Sequence, residues 1–223
     1  MGHRSVASLA LVLALFPAGS FAGSRAAMIR CTFVDPLSLA PTAFPGLSAE
    51  VRRIFADSGL SAALANGGSH RVEVSDELLL ILLPRARVGR ADETLGAVLG
   101  GLDGQGAAWL YWEPVAAALD LDPELWRSWS HSEKTAFSRA LGRVAAHELI
   151  HIILPTFPHA SAGLMRKSLS KGDLTRDGLE LDGTVTAALH ALSDTRMTLR
   201  FPRFPMLMPP TEQLRLDPED DHQ

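Results

Sequence analysis

The strongest constraint on this chain is the stretch from Ser130 to Leu154, SHSEKTAFSRALGRVAAHELIHIIL. Ser130 followed by Glu133 fits a capping box, with Ser132 as an alternative cap. Pro155 cannot continue a helix, so the segment should run to about Leu154. At about 100° per residue, Phe137, Ala140, Leu141, Val144, Glu148 and His151 fall on one stripe, and His147 lies at its edge. The last two turns, with Leu149, Ile150, Ile152, Ile153 and Leu154, are apolar nearly all round, and a helix end of that kind is buried. The ionisable residues of this helix therefore sit on the face that turns inward.

Two histidines and a glutamate forced into an apolar interior need compensation, because unpaired buried charge is costly. His147-Glu148-Leu149-Ile150-His151 offers one. Histidines four apart project side by side on a helix and can share a tetrahedral zinc ion. Glu148 follows the first of them, close enough to take a proton from water at the metal. The competing reading, two histidines capping surface groups and a glutamate in a salt bridge, fits the apolar surroundings poorly. A single cysteine excludes both a disulfide framework and a cysteine-based zinc cluster, so any metal must be held by histidine and carboxylate. A catalytic zinc site needs a third protein ligand with the fourth position left open. Beyond Pro155 a short turn can bring His159 back toward the metal, and Met165 follows where a methionine can form an apolar floor.

HELIH, then His159, then Gly163-Leu164-Met165 resembles the active-site stretch of the metzincin zinc endopeptidases, most closely the matrixin-like layout. The resemblance implies His147, His151 and His159 as ligands of one catalytic Zn2+, Glu148 as general base, and Met165 as the turn methionine. It implies an α+β fold, with a small mixed sheet packed on the active-site helix and a short C-terminal helical subdomain. The activity implied is peptide-bond hydrolysis, with a peptide or protein as substrate. Two departures stand out. Seven residues separate His151 from His159 where the family has five, and Leu154 takes the place of the family's turning glycine. The alternative third ligand is an acid further on, with Asp173, Asp177, Glu180 and Asp182 available; a helix through Leu192 could begin at Glu180 or Asp182.

The remainder of the chain sets the context. Residues 1–22 read as a signal peptide: a polar start at His3 and Arg4, an uncharged apolar run from Val6 to Phe16, and the small-x-small pattern Ser20-Phe21-Ala22. That run is too short to span a bilayer, which takes roughly 20 residues, so export without a stable membrane anchor is expected, to the periplasm or the medium. The net charge of −4 lacks the concentrated basic face that nucleic-acid binding needs. Residues 23–200 read as a single zinc-peptidase-like domain. Residues 201–223 are proline-rich and then acidic, the composition of a poorly ordered tail.

Within the domain, Met28–Val34 reads as a strand with Cys31 buried in it, a thiolate reaching the metal being the alternative reading of that cysteine. Residues 36–47 read as a loop, followed by a helix capped by Ser48 in which Val51, Ile54 and Phe55 face inward and Arg52 and Arg53 outward. Asn66-Gly67-Gly68-Ser69 reads as a turn, with a strand after it around Val72 and Val74. Leu78–Leu83 fits either a buried strand or a helix wall. Residues 100–106 form a glycine-rich loop, and Ala107–Val115 reads as a strand demoted to an edge by Pro114. The metzincin resemblance would have that edge, around Trp109 to Glu113, pair with an extended peptide. Trp109, Tyr111, Trp112, Trp126 and Trp129 can also serve simply as packing beside the long helix. His70, His131 and His190 are expected to be structural or exposed.

Overall fold

The computed structural model describes residues 28–68, 78–85, 94–99 and 106–194. The proposed signal peptide, the expected strand around Val72 and Val74, His70, residues 100–105 of the glycine-rich loop and the C-terminal tail lie outside these residues. Strand β1 (Met28–Val34) buries Ile29, Cys31 and Phe33 on one face, as its alternation predicts. Helix α1 (Phe44–Ala56) follows, then the strands β2 (Ser61–Gly68), β3 (Leu78–Leu83), β4 (Gly96–Leu99) and β5 (Ala107–Tyr111). The five strands form one sheet in the order β2-β1-β3-β5-β4. All neighbours run parallel except β4, which lies antiparallel to β5.

Several expectations are corrected here. Helix α1 begins one turn before Ser48: its cap is Ala43, and Pro45 occupies the first turn, where a missing N–H costs nothing and the fixed φ already suits a helix. Ser48 is instead buried within the helix. Arg53 does not point freely outward; it pairs with Glu50 at 3.0 Å and donates to the Leu179 carbonyl at 2.9 Å. Asn66-Gly67-Gly68 ends β2 rather than forming a free turn. Its turn chemistry survives as an irregularity, with the Asn66 side chain accepting from Gly68 N–H where the β1–β2 register slips.

Leu78–Leu83 is a strand, central in the sheet, with Leu78, Leu80 and Leu82 fully buried. The expected strand Ala107–Val115 stops at Tyr111, and Trp112–Ala118 forms helix α2 with Pro114 tolerated in its first turn. β5 is therefore not an edge. Among the described residues the edges are β2 and, on the β5 side, β4, whose only strand neighbour is β5.

The long helix is α3 (His131–Ile153), opened by the expected capping box: Ser130 accepts from Glu133 N–H, and the Glu133 carboxylate accepts from Ser130 N–H at 2.6 Å. Every residue from Ala140 to Ile150 is buried. α3 packs on α1 and against β4 and β5. Gly142 lets the two helices approach closely, since a β-carbon there would stand 2.8 Å from the Leu47 carbonyl oxygen. At the start of α3, Trp112 stacks on Trp129 with ring centroids 5.4 Å apart, and Phe137 meets both edge-on. The tryptophans other than Trp109 are thus packing for the long helix. Among the described residues two short helices come last, α4 (Lys171–Thr175) and α5 (Gly183–Asp194), the second running through Leu192 as expected. No helix among the described residues is long and apolar enough to cross a membrane.

Candidate metal centre

α3 presents His147 and His151 one turn apart on its inward side, and its end at Ile153 releases the chain into the turn that carries His159. The turn closes when Ala160 N–H donates to the Met165 carbonyl at 2.7 Å, and Ala160 bridges Arg166 in parallel. His159 is thereby brought over the end of the helix. His151 Nε2 lies 3.1 Å from His147 Nε2 and 3.2 Å from His159 Nε2. A tetrahedral ion with bonds of about 2.0–2.1 Å sets its nitrogen ligands roughly 3.3 Å apart, so these separations suit one shared ion. Exposure grades across the three: His147 is buried, His151 half-buried and His159 exposed, leaving the cluster open on the His159 side.

The protonation states suit the same chemistry. His147 Nδ1 lies 2.9 Å from the Leu164 carbonyl oxygen. A carbonyl can only accept, so Nδ1 carries the proton, and Nε2 of the neutral ring keeps its lone pair for the cluster. Burial pushes the His147 pKa down, with His159 adding to the effect against the Leu164 hydrogen bond. Burial, then His147, then His159 push His151 down to about 4. Neutral imidazole is the form that binds a metal.

Glu148 is buried, and its side chain lies against the edge strand. A β-carbon added at Gly96 of β4 would stand 2.9 Å from Glu148 Oε1 and 2.8 Å from a Val144 methyl. Glycine at position 96 is what makes room for the carboxylate there. Met165 is fully buried, and the backbone of Leu164-Met165 serves two of the three histidines, through His147 and through Ala160 beside His159.

Three of the four acids weighed as third ligands are occupied elsewhere, and the fourth, Glu180, is outside the histidine cluster. Asp173 caps α4 through Ser170 and accepts from Arg166 at 2.9 Å. Asp177 accepts from Arg139 at 2.7 Å, and Asp182 bonds Thr184 at the start of α5. Glu180 is exposed and contributes its backbone carbonyl, which accepts from Leu164 N–H at 3.2 Å. Among the described residues the only group of three or more candidate ligands that converges is His147, His151 and His159. Cys31 lies in the middle of β1, outside that group, so the thiolate reading finds no support in the geometry. His131 and His190 are exposed and also stand apart from it.

Three features in or beside the site escape a reading of the residues alone. The Leu164 carbonyl is a backbone atom without a side-chain signature. Gly96 sits in a short strand among glycines. Arg143, one turn before His147, carried a signal that was available: an arginine inside turns that are otherwise apolar.

No family model matches the sequence, and no curated protein resembles it. Solved structures do resemble the fold. Archaemetzincin from Methanopyrus kandleri superposes with a TM-score of 0.50 at 15% identity, over 75% of this chain and 96% of that one. A zinc-dependent peptidase from Methanocorpusculum labreanum gives a TM-score of 0.46 at 15% identity, over 72% of this chain and 99% of that one. The fold, a mixed five-stranded sheet packed on a long helix with short helices after it, is metzincin-like.

Proposed function

We propose that the chain is an exported zinc-dependent metallopeptidase, with His147, His151 and His159 holding one zinc ion and Glu148 acting as general base. The observation that carries this reading is the convergence of three imidazole nitrogens at 3.1 and 3.2 Å with a buried carboxylate on the same helix. The metzincin-like fold supports it, and Met165 occupies the sequence place of the family's turn methionine in the matrixin-like layout. Zinc, when bound, supplies a Lewis acid that polarises a carbonyl and acidifies water toward neutrality.

The chain's own residues do the rest. His147 is held in one tautomer by the Leu164 carbonyl, so its Nε2 meets the ion without rearranging. Glu148 takes the proton of the attacking water and passes it to the leaving amine. Its burial beside β4 keeps bulk water from competing for that proton. The side of β4 that has no strand neighbour among the described residues is the place where an extended peptide would add as a further strand, bringing backbone hydrogen bonds next to Glu148. The N-terminal pattern ending at Ala22 supports action outside the cytoplasm, on peptide or protein substrates.

The test is Glu148→Gln, assayed by digestion of a peptide library beside measurement of bound zinc. Zinc should stay, and cleavage should fall by about 10²–10⁴-fold. Undiminished cleavage removes Glu148 from the mechanism. A chain that binds zinc but cleaves nothing in either form is a metal-binding protein without this activity.

A further inference from the structure

Arg143 is 1% exposed, an unusual place for a guanidinium. Its Nε donates to Glu50 Oε1 of α1 at 2.7 Å, Nη1 to the Asp173 carbonyl at 2.7 Å and Nη2 to the Arg176 carbonyl at 2.6 Å. Glu50 also accepts from both Nε and Nη2 of Arg53, and Arg53 donates to the Leu179 carbonyl at 2.9 Å. Two arginines on one buried carboxylate thus grip three carbonyls between residues 173 and 179. The next residue, Glu180, accepts from Leu164 N–H, and the Leu164 carbonyl faces His147 Nδ1.

We propose that Arg143 and Glu50 are positioning residues for the zinc centre: through the 173–180 backbone and the Leu164 carbonyl they hold His147 in its metal-binding tautomer and orientation. The inference rests on the zinc reading given above and adds to it the device that aims the first ligand. Stability alone does not explain the pair, since a well-packed apolar replacement of a buried ion pair is often neutral or stabilising. What the pair supplies is direction. A planar fork with fixed donors sets where two carbonyls lie relative to α3, and Arg143 stands one rigid helical turn from His147. Lysine, a point charge on a flexible stem, cannot fix both carbonyls at once.

The experiment compares the wild-type chain with Arg143→Lys, Glu50→Gln and, as control, Glu113→Gln, whose ion-pair partner Arg85 lies outside the clamp. Zinc affinity is read by competition with a chromophoric chelator, and ligand geometry by the visible spectrum of the cobalt(II) form. Circular dichroism and melting of the metal-free chains report whether each is folded. The expectation is that both clamp variants fold, bind zinc about 10–100-fold more weakly and show an altered cobalt spectrum, while Glu113→Gln matches wild type. Folded clamp variants with wild-type affinity and spectrum overturn the proposal. Should Arg143→Lys fail to fold, Glu50→Gln decides alone, because it keeps the side chain's size and an acceptor for Arg143. A wild-type chain that binds no zinc overturns the zinc reading itself, before any substitution is compared.

Discussion

At the scale of single residues, the site depends on how closely two groups approach without steric conflict. Glu148 lies where a β-carbon on Gly96 would fall 2.9 Å from its Oε1, so Gly96→Ala must move the carboxylate or the strand. Zinc binding should persist while kcat falls by about 100-fold, the scale of loss that a displacement of about 1 Å produces. Unchanged kcat in that variant would show that the position of Glu148 against β4 does not matter. The same scale shows what a sequence can and cannot convey. His147, Glu148 and His151 were legible because helical spacing is local: four residues make one turn whatever the tertiary fold. His159 was legible as a candidate, but its competition with Asp173, Asp177, Glu180 and Asp182 could not be weighed without knowing which acids already had partners. The Leu164 carbonyl left no trace at all, since every residue carries that atom.

At the scale of elements, the junction of α1, α3 and the 173–180 segment is held by carboxylates under strain from burial. Burial pushes the Glu50 carboxyl up, but the guanidinium groups of Arg53 and Arg143 outweigh it and hold the pKa below its ordinary 4.5. Asp173 is likewise opposed by burial and held down by Ser170, Arg166 and Arg176. A depressed folded pKa contributes stability that is fully present above the unfolded value and lost as pH falls through the folded one. The metal-free chain should therefore lose stability in two stages as pH falls: first below the ordinary histidine value of 6.5, because His147 and His151 are held neutral in the fold but protonate when unfolded, and then further below about pH 4 as Glu50 and Asp173 protonate. Glu50→Gln should be less stable at neutral pH and show a shallower acid limb. An acid limb identical to wild type would mean that Glu50 is not held ionised by its partners.

Elements were legible where their end signals were local. α3 was bounded by a capping box and a proline, and both boundaries lie within about a residue of expectation. β2 leaves little trace because Ser61–Gly68 has few residues that favour strands; pairing to β1 makes it one. α2 was hidden because Pro114 signals a strand edge and a helix first turn equally well.

At the scale of the whole molecule, the class of fold could be anticipated but the order of its strands could not. The sheet order β2-β1-β3-β5-β4 is fixed by pairings between distant segments, and β4, four residues long, is the least visible of them. Its place outside β5 nonetheless decides where, among the described residues, the sheet ends on that side, and hence where a peptide could approach Glu148. Export belongs to this scale too. N-terminal sequencing of the protein recovered from its natural host should begin at Gly23, and an intact Met1 on the mature protein would contradict cleavage after Ala22.

The central claim, a three-histidine zinc centre in a peptidase, is tested most directly by the zinc content per chain of the purified mature protein, measured beside His159→Ala. The account predicts about one zinc per chain in the wild type and a clear loss of retained zinc in the variant. Absence of zinc from the wild type even after reconstitution, or equal retention in both, would contradict it.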